Sequence, residues 1–307
     1  MWAISSYYNP ARYKRRLANY RLFRKKLSSI PLVTVELSFD GAFELKKEDA
    51  EILIQICGGA VLWQKERLLN LAIKSVPPNV NSIAWIDCDV IFERSDWVNE
   101  AKLLLRASNV VQLFSDQVDL KPADHQTNAD YQAALPSGRG IISLISENKF
   151  RQSDLASTLD RNRRSFAWGL AWAARREILE AHGLYDAMIA GGGTRALVSA
   201  IYADFDKVIE AAQFNAAQRE HYLKWALPYH QAVAGRVGHV TGRLYHLWHG
   251  NIENRNYAGR HRGLVENDFN PSSDIAIGSN GAWQWAKSKP DLERFLTNFF
   301  ISRAEDG

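Results

Sequence analysis

At 307 residues the chain is long enough for one large domain or two modest ones with an ample core. Hydrophobic residues make up 46% and charged residues 23%, the balance of an ordinary globular protein in water. No apolar run approaches the roughly 18 residues of a membrane span, so no transmembrane segment is expected.

The first half reads as alternating strands and helices. Trp2–Tyr8 is strand-like and stops at the turn signal Asn9-Pro10. Over 11–27 the spacing predicts a helix with Leu17, Tyr20, Phe23 and Leu27 on one side and basic residues opposite. A β-branched run over 31–39 predicts a second strand, and 63–75 a helix that ends before Pro77-Pro78. Residues 82–92 read as one strand, 96–107 as a helix and 109–114 as a strand. This β-α-β order implies a mostly parallel sheet with right-handed crossovers. From about Ser115 to Arg164 the pattern weakens into a long loop region, of the kind that serves as a lid or binding loop. Order returns at 166–174, followed by predicted helices over 175–182, 195–205 and 210–226. After Asn270 no chemistry is readable.

Within the predicted strand over 82–92, Ile86-Asp87-Cys88-Asp89-Val90 sets two carboxylates two residues apart, beyond the apolar run Ser82–Ile86. Strand alternation points Asp87 and Asp89 to one side, where a buried parallel strand would emerge into a ligand crevice. Two such carboxylates are costly together unless a positive charge lies between them, and a divalent cation is the usual solution. Cys57 and Cys88 are the two cysteines and both sit in apolar segments, which reads as buried reduced thiols. With no charged-then-apolar order at the start of the chain, the expected location is cytoplasmic.

The net charge of +4 is modest but unevenly spread. Eight basic residues and no acidic one precede Pro31. A second basic stretch runs from Arg236 to Arg262, and a third is Arg161-Asn162-Arg163-Arg164. These are solvated helix faces or a surface for phosphate groups. No phosphate-binding Gly-x-x-x-x-Gly-Lys loop, dinucleotide fingerprint, His-Glu-x-x-His or Cys-x-x-Cys occurs.

The ordered set of an N-terminal βαβ half, Asp87-Cys88-Asp89, Phe166-Ala167-Trp168-Gly169, Gly191-Gly192-Gly193 and His246-Leu247-Trp248-His249 resembles glycosyltransferases of the GT-A fold. The resemblance covers about residues 1 to 265 and is nearest to bacterial and phage family-2-like enzymes and the C-terminal galactosyltransferase-type module. It implies an α/β, three-layer α/β/α architecture with a mostly parallel central sheet. One GT-A domain would span 1–307, with a nucleotide-binding half (1–114), an acceptor and sugar half (115–265) and a tail (266–307).

The resemblance also implies a reaction and a site. A sugar would pass from a nucleoside-diphosphate-sugar donor to an acceptor hydroxyl, with Mn²⁺ or Mg²⁺ neutralising the diphosphate. Asp87 and Asp89 would hold the metal, Asp89 directly. His249 would complete its shell, with His246 second, because on an extended segment the two histidines face opposite sides. An imidazole ligand favours manganese. Ser6, Tyr7, Tyr8 and Asn9 would seat the base and ribose, and Lys65, Arg67 and Asn70 would contact phosphate or ribose. Trp168, Gly169, Gly192 and Gly193 would shape the sugar pocket, while Arg255, Tyr257 and Arg260 would close over the diphosphate. Thr194 stands where relatives carry an acidic base, and a threonine cannot be that base at neutral pH. Either Asp186 or Asp204 takes the part, or the enzyme is retaining, or the chain is an impaired nucleotide-sugar-binding protein. A glycan or lipid-linked acceptor is the family's default; a hydroxymethylated base in phage DNA is the alternative, since a duplex would use the basic tracks. A nucleotidyltransferase would instead release pyrophosphate, and its Gly-rich basic loop after the first strand is missing here.

Overall fold

The computed structural model describes residues 1–27, 30–122, 131, 134–148, 166–256 and 259–307. Its first two strands, β1 (Trp2–Tyr8) and β2 (Leu32–Ser38), are buried almost throughout, as expected for inner strands covered on both faces. A strand that the sequence pattern did not reveal, β3 (Ile52–Cys57), pairs with β2 and alternates between half-buried and exposed residues, the mark of an edge. Cys57 is accordingly exposed, against the expectation of a buried thiol, whereas Cys88 is buried.

The other strands, in chain order, are β4 (Ser82–Ile86), β5 (Val90–Phe92), β6 (Val110–Gln112), β7 (Asp116–Asp119), β8 (Gly138–Gly140), β9 (Phe166–Ala167), β10 (Ala171–Arg175), β11 (Val237–His239), β12 (Arg243–His246), β13 (Ile275–Ile277) and β14 (Trp283–Trp285). Among the described residues the main sheet has seven strands in the order β3-β2-β1-β4-β10-β6-β11. All its pairings are parallel except those of β10, which is antiparallel to β4 and β6. The expected mixed α/β fold with a mostly parallel central sheet is therefore present. Strand order reverses between β1 and β4, so a crevice opens where their carboxyl ends diverge.

Helices cover both faces. Leu68, Leu69 and Ile73 of Lys65–Ser75, with Leu197, Val198, Tyr222 and Tyr229 from Gly193–Ile201 and Ala216–Val233, pack against Val33, Val35, Trp85 and Trp172. On the opposite face Tyr20 and Phe23 of Lys14–Lys26 and Trp97 of Trp97–Leu104 pack against Ala3, Leu32, Ile86 and Val111. The helix predicted over 210–226 lies later, at Ala216–Val233, because Asn215 and Gln218 cap its start reciprocally. That predicted over 195–205 is Gly193–Ile201, and Phe205–Ala211 begins a new one.

The predicted strand over 82–92 is two strands in two sheets. The chain leaves the main sheet at Ile86, turns through Asp87-Cys88-Asp89 and enters a second sheet at β5. It makes the reverse crossing through Trp168-Gly169-Leu170, from β9 to β10. The two crossings lie side by side, the Asp87 amide donating to the Leu170 carbonyl at 2.7 Å. Leu170 takes a left-handed φ of 74° there, a conformation costly for a branched side chain and paid for by the surrounding packing. Part of the expected loop region is also ordered: β7, β8 and the helix Ile141–Ser146 belong to it. The basic stretch at 161–164 and Tyr257 lie outside the described residues.

Gln112 ties the layers together. Fully buried, it donates to the Ala167 carbonyl of β9 at 2.9 Å and accepts from the Ile142 amide at 3.0 Å. Gln112→Leu removes the side-chain partner of two buried backbone groups, and at about 1–3 kcal/mol for each the unfolding free energy is expected to fall by about 2–6 kcal/mol. Urea denaturation with an unchanged m-value checks this.

Candidate functional site

β12 lies antiparallel to β5 with His246 opposite Val90, and the Leu247 amide donates to the Asp89 carbonyl at 2.8 Å. This register carries His246 to the crossing at Asp87–Asp89. The strand ends there, so His249 does not keep the alternation of an extended segment. The Nε2 atoms of His246 and His249 come within 3.2 Å, with ring planes at 81°. Asp89 Oδ2 is 3.2 Å from His249 Nε2 and 3.9 Å from His246 Nε2. The expectation that the two histidines face apart fails for that reason, and both meet Asp89.

Behind the imidazoles stand further carboxylates. His246 Nδ1 bonds Asp119 Oδ1 at 2.9 Å, and His249 Nδ1 lies 3.6 Å from Glu305 Oε1. A proton on Nδ1 facing each carboxylate leaves an Nε2 lone pair aimed at the shared point. Burial, together with nearby Arg255, pushes the His249 imidazole down to about 4. Burial alone would raise Asp89, but His249, His246 and Arg16 outweigh it and hold the carboxyl below its usual range. Three lone-pair donors thus converge, their ligand atoms within 4.8 Å of one another, and Asp89 Oδ1 is buried without a hydrogen-bond partner among the described residues. Such convergence is repulsive by itself and fits a cation. An N₂O donor set suits Mn²⁺, Fe²⁺ or Zn²⁺ better than Mg²⁺ or Ca²⁺.

Asp87 is not a member of this group. It pairs with Lys65, and burial raises its carboxyl against the pull of that lysine. The cation point and the Lys65–Asp87 pair share the floor of a cleft of about 630 Å³. Arg16, Lys65, Arg195, Arg255, Arg260 and Arg303 line it, together with Trp63, Trp168, Gly169, Gly192, Gly193 and Thr194. Strand alternation along β1 sends Ser6 and Tyr8 into the cleft and Tyr7 and Asn9 to the other side of the sheet, where both bond Glu44. The Tyr8 hydroxyl and Trp63 Nε1 are buried in the cleft wall without hydrogen-bond partners among the described residues.

Arg67 and Asn70 do not line the cleft. They bind Asp186 Oδ2 at 3.0 and 3.1 Å. Asp204 immediately precedes the helix Phe205–Ala211, also away from the cleft. Thr194 does line it, in the first turn of Gly193–Ile201, beside a carboxyl that sequence reasoning missed. Glu66 is buried against Gly193, where a side chain would collide with it. Burial, opposed by Lys65, pushes its carboxyl up to about 7. Asp119, Arg195, Arg303 and Glu305 were missed as well. Arg16 had only the general signal of its basic stretch.

No family model matches the chain, and no curated protein matches it. Among solved structures it is similar to the glucosyl-3-phosphoglycerate synthase of M. tuberculosis at 10% identity, over 95% of this chain and 90% of that one, with a TM-score of 0.41. It is similar to 4-diphosphocytidyl-2C-methyl-D-erythritol synthase from Anaerococcus prevotii DSM 20548 at 11% identity, over 78% and 87%, with a TM-score of 0.34. The galactosyltransferase LgtC, solved with donor and acceptor sugar analogs, matches at 9% identity over 78% and 73%, with a TM-score of 0.34. At such identities the likeness concerns the path of the chain and not its side chains.

A raised carboxyl has a consequence for stability. Between its ordinary value near 4.5 and about 7 the folded chain holds a proton on Glu66 that the unfolded chain has released. Stability is therefore lost as pH rises through that window. Glu66→Gln is expected to remove this loss, so that its melting temperature, relative to wild type, climbs from pH 4.5 to pH 7. Parallel thermal melts across that range test it.

Proposed function

We propose that the chain is a metal-dependent glycosyltransferase that moves a sugar from a nucleoside-diphosphate-sugar to an acceptor hydroxyl of a glycan or glycoconjugate. The observation that carries this reading is the convergence of Asp89, His246 and His249 on one point in the floor of a cleft lined by six cationic side chains. Those three residues would hold the ion, with manganese favoured by the two imidazoles. When bound, it would supply positive charge against a departing diphosphate.

The residues around that point have complementary tasks. Arg195, Arg255 and Arg260 bind phosphate oxygens, for which the planar guanidinium is suited. Asp87 holds Lys65 at the floor, keeping a cation beside the same phosphates. Trp168 offers an apolar face to the sugar, and Arg195 lies over its ring at 5.7 Å. Gly169 lets the substrate approach the backbone closely, whereas Gly193 makes room for Glu66. Among the described residues, Glu66 is the buried cleft carboxyl that forms no ion pair. Raised to about 7, it is poised to take the acceptor's proton, the task that Thr194 cannot perform. Asp186 and Asp204, outside the cleft, are not assigned that part.

A polyanionic acceptor such as modified DNA is the second reading, favoured by exposed Lys14, Arg21, Lys25 and Lys26 on one helix. Acceptor binding that weakens steeply with salt would select it over a neutral glycan.

Thermal shift with nucleoside diphosphates and their sugars, with and without Mn²⁺, tests the main reading. One donor is expected to stabilise the chain only when the metal is present. Asp89→Asn should abolish that stabilisation and sugar transfer together. Glu66→Gln should retain donor and metal binding while turnover falls by about 10²- to 10⁴-fold. A wild-type chain indifferent to Mn²⁺ in both assays would sink the proposal.

A further inference from the structure

The segment 302–307 carries no recognisable motif, yet it is threaded beneath the cation point. Asp306 accepts from the Arg15 and Lys14 amides at 2.7 and 3.1 Å, capping the helix Lys14–Lys26 from nearly three hundred residues away. The Ala304 amide donates to the Tyr13 hydroxyl at 3.0 Å. The turn at Gly250 fits closely against this segment: a Cβ there would lie 2.6 Å from the Arg303 carbonyl and 2.8 Å from that of Ala304. Between these anchors Glu305 is 1% exposed. Its carboxylate accepts from Arg303 Nε at 2.6 Å and pairs with Arg16 Nη1 at 3.2 Å.

From this arrangement we infer that Glu305 is a positioning residue for the cation site, orienting His249 so that Nε2 faces Asp89 and His246. The inference rests on the cation reading above. Its physical basis is the pairing of roles around the two imidazoles. Asp119 stands 2.9 Å behind His246 Nδ1, and Glu305 stands 3.6 Å behind His249 Nδ1. A carboxylate on that side favours the tautomer with the proton on Nδ1 and makes Nε2 a better donor. Asp119 comes from β7, the parallel neighbour of the histidine's own strand, whereas Glu305 comes from the far end of the sequence. Arg16 and Arg303 offset the cost of burying the Glu305 charge. The donor geometry at His249 therefore depends on segment 302–307 being docked on the helix Lys14–Lys26.

The test compares Mn²⁺ affinity, read by EPR titration, for the full chain and for Glu305→Gln, Glu305→Ala and Asp89→Asn, each first shown to be folded by circular dichroism. Wild type is expected to bind and Asp89→Asn to fail. Each Glu305 variant should weaken binding by about 10- to 100-fold. Nitrogen-15 spectra of the chain loaded with diamagnetic Zn²⁺ should show the proton of His249 on Nδ1 in wild type, exchanging faster with water in the Glu305 variants while the Nδ1 proton of His246 is unchanged, a selective change that general loss of packing would not produce. Should Glu305→Ala fail to fold, the isosteric Gln variant decides. Folded variants that bind Mn²⁺ within twofold of a binding wild type overturn the role of Glu305 and leave the cation reading standing. A wild type that takes up no Mn²⁺ overturns that reading and this inference with it.

Discussion

Two buried imidazoles with Nε2 atoms 3.2 Å apart, facing a carboxylate oxygen, form an arrangement that the packing must hold in place. Nothing local to His246-Leu247-Trp248-His249 requires it. It is imposed by the pairing of β12 with β5 on one side and by the carboxylates behind each Nδ1 on the other. Much of the surrounding polar chemistry follows from this point. Positive side chains gather where the carboxylates are dense: Asp87 meets Lys65, Asp89 and Asp119 meet histidines, and Glu305 meets Arg16 and Arg303.

The two-sheet construction explains how such a point can exist at all. A carboxylate on a continuous buried strand would have its backbone inside a ladder and its side chain in a packed layer. Here the chain steps between sheets at Asp87–Asp89 and again at Trp168–Leu170, side by side at the carboxyl end of β4. The backbone amide of Asp87 finds its partner in the other step, at Leu170, so the turn is hydrogen-bonded without closing the cleft above it. Rigid strands thus deliver side chains into open space, which a loop of the same length would do less reproducibly.

The neighbouring carboxyls show how burial and partners divide functions within one cleft. Asp89 is held in its charged form by imidazoles and Arg16, whereas Glu66, a short distance along the sequence from Asp87's partner Lys65, is raised to about 7. Environments that push two carboxyls apart are what separate a ligand from a proton carrier. Asp186 is a third case: burial raises it, but Arg67 and Asn70 occupy it structurally, outside the cleft.

Much of the scaffold was legible in the residues themselves. The strand-like run of β1 and the β-branched run of β2 announce strands, and Tyr20 and Phe23 announce the buried side of their helix, because burial of apolar area is a one-dimensional pattern. The pair Asp87 and Asp89 could be singled out from spacing, and His249 only through the resemblance. The break at Ile86 could not, since Asp87-Cys88-Asp89 preserves the alternation of a strand while leaving the sheet. His246 was placed on the wrong side for the same reason: a period of two holds only while the strand continues, and it ends at His246. The alternation that put Tyr7 and Asn9 with Ser6 and Tyr8 in one binding group is also what separates them in space. Glu305, Asp119 and Glu66 had no signal, because each is defined by what it faces across many residues of chain. The amino-acid order by itself determined the alternation of strands and helices in the first half and which acids and histidines are available. Only the tertiary structure decided which of them meet, since that depends on strand register and on a distant segment docking, and neither leaves a local periodicity to read.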